Sequence, residues 1–140
     1  MVKSRINSAL SQYRSVNVSS GVEDATPHRL IQMLMEGALD KIATAKGHML
    51  QGDAAEKGRH ISWGITIISG LQSSLDKDGG GEISTNLDDL YDYMVRRLGE
   101  AGAANDPAIL DEITSLLIEV KSAWDVIPMR LSTAGRQAAS

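Results

Sequence analysis

Thr26-Pro27-His28-Arg29-Leu30-Ile31-Gln32-Met33-Leu34-Met35-Glu36-Gly37-Ala38 opens the first long helix, and the architecture follows from it. The Thr26 hydroxyl is placed to accept a hydrogen bond from a first-turn amide, so Thr26 reads as an N-cap. Pro27 follows at the position where its missing N–H is no loss and its fixed φ suits a helix. Leu30, Leu34, Ala38, Ile42, Ala45 and Met49 then recur at spacings of three and four, one apolar stripe. Ile31, Met35 and Leu39 make a second stripe beside it. A helix apolar over so wide an arc either buries both flanks or keeps one edge for a partner.

Outward from this helix the pattern repeats. Gly52 is suited to end the first helix, near residues 51–53, and Asp53 to cap the next. Ile61, Ile65, Ile68, Leu71 and Leu75 stripe residues 54–75, where Gly58, Gly64 and Gly70 either admit a close neighbour or soften the helix. Asp76-Lys77-Asp78-Gly79-Gly80-Gly81 is a break. The helical period resumes with Ile83, Leu87, Leu90/Tyr91, Met94, Leu98 and Ala101. Asp106-Pro107 repeats the cap-and-proline start, and the last stripe runs from Ile109/Leu110 to Ile127, where Pro128 is expected to stop it. The expected fold is all-α: an antiparallel four-helix bundle over residues 25–127, with a flexible tail at 128–140. Residues 1–24 carry Ile6, Leu10, Tyr13 and Val16, a short amphipathic segment that is either a frayed terminus or a piece docked on the bundle.

Composition narrows the chemistry. A chain of 140 residues suits one domain, and 42% hydrophobic with 23% charged residues is ordinary for a soluble protein. The core must be aliphatic and methionine-rich, because there is no Phe, with two Trp and six Met. The lack of Cys excludes disulfides, thiolate metal sites and a cysteine nucleophile. A net charge of −4 argues against nucleic acid as a partner. No apolar run is long enough for stable membrane insertion, and Met1-Val2-Lys3-Ser4-Arg5 does not lead into a signal-peptide core, so a cytoplasmic location is expected.

Candidate chemistry is thin. Residues 76–87 mimic part of a calcium loop, with Asp76, Asp78, the Glu82 carbonyl and Ser84 as the ligands on offer. Gly80 and Leu87 stand where that loop needs an oxygen donor and a bidentate Glu. A calcium-responsive helical protein therefore stays only as an alternative. His28, His48 and His60 are scattered, Glu56 and His60 read as a solvated pair, and no Glu-x-x-His pattern supports a carboxylate-bridged metal centre. No metal, no cofactor and no enzymatic activity are expected.

The order of certain fragments is nonetheless distinctive. Tyr13-x-x-Val16, Ala25-Thr26-Pro27-x-x-Leu30-Ile31-x-Met33-Leu34, Gly37-Ala38, Gly80-Gly81-Glu82-Ile83, Asn86-Leu87-x-x-Leu90-Tyr91-Asp92-Tyr93-Met94, Arg96-Arg97-Leu98 and Ala123-Trp124 together resemble the flagellar secretion chaperone family, FliS, over roughly residues 10–127. The resemblance implies a helical-bundle export chaperone that binds the C-terminal segment of flagellin. It would prevent premature polymerisation and support delivery to the flagellar type III export gate. The partner-binding residues expected on this basis and from the stripes are Leu10, Tyr13, Ile31, Leu34, Met35, Ala38, Ile42, Ile68, Tyr91 and Met94. In the family the segment around Leu10 and Tyr13 packs on the bundle and moves when flagellin binds, which casts it here as a lid or a direct contact. The chain departs from the family pattern at Met35, where an aromatic is usual, and at Trp63-Gly64, in place of Lys-Ala. A self-associating bundle is the remaining alternative, and a homodimer is left open.

Overall fold

The computed structural model describes the backbone of residues 25–76 and 78–139 and the side chains of that set up to residue 127. Within it lie four helices and no strand: α1 (Pro27–Gln51), α2 (Ala54–Ser73), α3 (Gly81–Ala104) and α4 (Pro107–Ala139). Their starts obey local chemistry. Thr26 Oγ1 accepts from the Arg29 amide at 3.1 Å, Asp53 Oδ1 from Glu56 at 3.2 Å and Asp106 Oδ1 from Ala108 at 3.0 Å. Each satisfies an amide that a helix start leaves unpaired. Gly52 (φ 77°) and Asn105 (φ 55°) end α1 and α3 in the left-handed conformation.

Among the described residues each helix packs on two neighbours and none on its diagonal: α1 and α3 each touch α2 and α4. The neighbours run antiparallel. Lys57 of α2 reaches the Gly102 carbonyl of α3 while Gln72 reaches Asp88, and His28 of α1 meets Trp124 of α4 while Lys46 meets Asp111. The four inner faces enclose one core: Leu34, Ala38, Ile42, Ala45 and Met49 from α1, Ile61, Ile67, Ile68 and Leu71 from α2, Tyr91, Met94, Leu98 and Ala101 from α3, and Ile109, Leu110, Ile113 and Leu117 from α4.

Two expectations need correction. Ile83 does not join the α3 stripe but is 73% exposed. Ser84 is buried in its place, because its hydroxyl donates to the Asp76 carbonyl at 2.8 Å and fixes the helix rotation. Helix α4 also does not stop at Pro128; its backbone stays helical to Ala139. Proline there removes the amide that would bond to the Trp124 carbonyl. That carbonyl instead lies 2.7 Å from His28 Nε2, so the lost bond is replaced across the helix interface.

The loop at 76–80 is knotted on Asp76. Its Oδ1 accepts from the Gly79 amide at 2.8 Å, and its carbonyl accepts both the Gly80 amide and the Ser84 hydroxyl. Two of the residues offered for calcium, Asp76 and Ser84, thus use their oxygens in the turn. A Cβ at Gly80 would run into Ser84 Oγ and come within 2.6 Å of the Asp76 carbonyl oxygen. Gly58, by contrast, faces open space.

Opposite outcomes are therefore expected from the same substitution. Gly58→Ala should stabilise the fold by about 1 kcal/mol through helix propensity, and Gly80→Ala should destabilise it by about 1–3 kcal/mol through steric conflict. Leu34→Ala or Leu117→Ala, at fully buried positions, should each lose roughly 2–5 kcal/mol. Urea unfolding of the variants checks all of these.

Candidate partner-binding surface

The expected contact residues divide sharply by position. Leu10 and Tyr13 lie outside the described residues. Leu34, Met35, Ala38, Ile42, Ile68, Tyr91 and Met94 are all at most 2% exposed and belong to the core. Burial pushes the Tyr91 hydroxyl up to about 12, so it stays neutral there. A partner could touch these seven side chains only after the elements around them part. Ile31 differs: it is half-buried at the edge of the core, with Leu30 and Leu39 on the same helix. The two stripes of α1 thus do not separate into core and groove, since Met35 of the second is as buried as Leu34 of the first. Larger apolar side chains at the open surface are Leu50, Ile83, Ile118 and Val126.

The interface between α1 and α4 carries a polar seam. The His28 and Trp124 rings stack at 4.8 Å with 7° between planes. Trp124 Nε1 donates to the His28 carbonyl at 3.1 Å, and His28 Nε2 faces the Trp124 carbonyl. A carbonyl only accepts, so the proton sits on Nε2. One turn along, Gln32 Nε2 donates to Asp125 Oδ1 at 2.7 Å. Lys121 bridges Asp125 at 2.9 Å and Glu36 at 3.7 Å, and Glu36 also holds Arg29 at 3.0 Å. The Lys121 and Gln32 hydrogen bonds hold the Asp125 carboxyl below the usual carboxylate range.

A second seam joins α3 to α4. The Tyr93 hydroxyl donates to Glu112 Oε2 at 2.6 Å and Arg97 Nε to Glu112 Oε1 at 3.0 Å. These donors, Tyr93 first, depress the Glu112 carboxyl, and the same bond raises the Tyr93 hydroxyl. The family departure at Trp63-Gly64 also has a local use. Lys41, 4% exposed, places Nζ 4.3 Å from the centre of the Trp63 ring, where the ring's π face favours a cation. At Gly64 a Cβ would meet Ile42 Cγ1 at 3.6 Å, an ordinary contact, so the packing there tolerates alanine as well as glycine. Neither seam could be read from apolar periodicity, although His28, Gln32 and Glu36 do share one face at spacings of four.

Four helices around an aliphatic core, with polar chemistry spent on joining helix to helix, define a small all-α helical bundle. Among the described residues no helix is long and apolar enough to cross a membrane. The chain belongs to the FliS family: the family profile described as "Flagellar protein FliS" matches residues 9–130. It is similar to the flagellar secretion chaperone FliSB of Pseudomonas aeruginosa, 50% identical over 119 residues covering 85% of this chain and 94% of that one. It is likewise similar to the flagellar secretion chaperones FliS of Salmonella typhimurium, 43% identical over 89% of this chain and 93% of the relative, and of Vibrio cholerae, 42% identical over 86% and 88%.

Two outcomes follow. Met35→Asp puts an unpaired charge into the core and should unfold the bundle rather than spare it, a loss of cooperative melting visible by circular dichroism. Glu112 and Asp125, being depressed in the fold, add stability above the unfolded carboxylate range, and that stability disappears as pH falls through their folded values. Melting temperature should drop on acidification, and Glu112→Gln should flatten that drop while lowering the neutral-pH value.

Proposed function

We propose that this chain is a cytoplasmic export chaperone for flagellin. It binds flagellin's C-terminal helical segment, keeps it from polymerising early and supports its delivery to the flagellar type III export gate. The observation that carries this reading is the match to named flagellar secretion chaperones along nearly the full length of each. The physical need is plain. Segments that pack into a filament are apolar, and such a segment kept apart from its filament exposes surface that promotes aggregation. A helical bundle offers an apolar edge on which an amphipathic helix can lie.

Because the predicted contacts on α1 to α3 are mostly core, the reading assigns them different parts. Leu34, Met35, Ala38, Ile42, Ile68, Tyr91 and Met94 give the surface its shape from beneath. Ile31 is the direct contact among the described candidates, and Leu10 and Tyr13 act as a lid over the same edge. A chaperone of this kind needs no catalytic group or cofactor.

Titration of a flagellin C-terminal peptide into the full chain tests the reading, with a saturable, one-to-one heat expected. Ile31→Asp should abolish most of the affinity, because it places a charge where the partner excludes water, while changing the melting temperature far less than Met35→Asp. Removing residues 1–15 should leave affinity equal or tighter and raise dye binding of the free protein. Weaker binding by the truncated chain, with helicity kept, would make Leu10 and Tyr13 contacts instead of a lid. No binding by the folded full chain would overturn the proposal.

A further inference from the structure

The turn between α1 and α2 gathers three residues that the sequence scatters. Gly52 reverses the chain, so His48, four residues before it, is brought to Glu56 and His60, four and eight residues after it. One ligating atom from each of His48, Glu56 and His60 lies within 4.8 Å of the other two. The two imidazole rings face each other with centroids 5.4 Å apart, and His60 Nδ1, although 3.8 Å from Glu56 Oε2, is held by the Glu56 carbonyl. We propose that these three side chains form a binding site for a divalent first-row transition metal of the zinc type.

The polar accounting of His48 points the same way. Its Nδ1 is buried and has no hydrogen-bond partner. The nearest carboxylate oxygen, Asp53 Oδ2, is 3.7 Å away, too far for a hydrogen bond. Neither tautomer therefore satisfies that nitrogen, whereas a metal ion would use its lone pair directly. His60 is prepared differently. Its Nδ1 lies 2.8 Å from the Glu56 carbonyl, which only accepts, so the proton sits on Nδ1 and Nε2 keeps a free lone pair. A ligand imidazole commonly has its other nitrogen tied to a carbonyl or carboxylate in this way.

The donor set selects the class of ion. Two neutral imidazoles and a carboxylate suit zinc, cobalt, nickel or copper better than calcium or magnesium, which prefer all-oxygen surroundings. Zinc bonds of about 2.0–2.1 Å place tetrahedral ligands roughly 3.4 Å apart, so the three side chains, with ligating atoms within 4.8 Å of one another, close in on the ion as it binds. The Glu56 and Asp53 side chains, 38% and 46% exposed, leave the ion a way in. Three protein ligands leave a fourth position for water or an outside donor. The surroundings are fixed: His60 packs against Trp63 at 6.0 Å, and Trp63 carries Lys41. Bound metal would clip the end of α1 to the start of α2, a role separate from partner binding.

The test uses the untagged full chain freed of metal with a chelator and titrated with Co²⁺, then with Zn²⁺ in competition. One equivalent of Co²⁺ should produce the visible absorption of a low-coordinate site, Zn²⁺ should displace it, and Zn²⁺ should raise the melting temperature by linkage. His48→Ala should weaken binding by about 100-fold or more, at least the effect of losing an outer-shell partner. Glu56→Gln, which keeps the side-chain shape, should also weaken it, and Glu119→Gln on the exposed face of α4 should not. Helicity of each variant shows whether it is folded. Absence of saturable absorption, or an unchanged affinity in folded Glu56→Gln and His48→Ala, would overturn the site.

Discussion

A carbonyl that its own helix cannot satisfy closes this bundle. Pro128 denies the Trp124 oxygen an amide, and His28, from the first turn of α1, lies against it at 2.7 Å. The contact matters because of where it falls. The pairs α1–α2, α2–α3 and α3–α4 are joined by short loops, so chain connectivity holds each together. The pair α1–α4 joins the two ends of the described bundle with no loop, and only side chains hold it. The stack of His28 on Trp124, the return bond from Trp124 Nε1, and the Gln32, Glu36, Lys121 and Asp125 group are concentrated there. Exposed ion pairs are individually weak, but a partly buried set that shares its members and is fixed by a stacked aromatic specifies register.

Inside the ring the packing is aliphatic, with Tyr91 as the buried aromatic of the core. Methionine adapts to gaps that larger rings would fill, and Met33, Met35, Met49 and Met94 line the core between the helices. The consequence for function is that the bundle keeps little of its inner face in reserve. On the proposed reading, recognition of a helical segment falls to the edge represented by Ile31, where half-buried side chains can be covered without dismantling the core. On that reading the core residues still matter, since they set the rotation of α1 and hence what its edge presents.

Much of this was legible in the sequence. Thr26-Pro27, Gly52-Asp53 and Asp106-Pro107 mark helix boundaries that the hydrogen bonds reproduce, and the stripe from Leu34 to Met49 lies in the core, joined there by Met33 and Met35. Apolar periodicity reports which face is buried, not how deep, so it could not separate Met35 from Ile31. It also misplaced Ile83, because the rotation of α3 at that end is set by a polar bond from Ser84 to Asp76. The ring closure and the His48–Glu56–His60 cluster were invisible for another reason: both join residues across a helix interface, and a single sequence shows spacing only along the chain. The rule that proline stops a helix is local, whereas the α4 backbone passes Pro128 with the Trp124 carbonyl met by His28 from another helix.

The central claim is that this bundle receives a flagellin segment on its edge while its core stays intact. Amide hydrogen exchange of the full chain, with and without a flagellin C-terminal peptide, tests it most directly, since exchange distinguishes local covering from opening of the fold. The account predicts added protection along the α1 edge around Ile31, with amides beneath it at Leu34, Ile42, Ile68 and Met94 exchanging as slowly in the complex as alone. Faster exchange at those core amides on binding, with no change around Ile31, would contradict it.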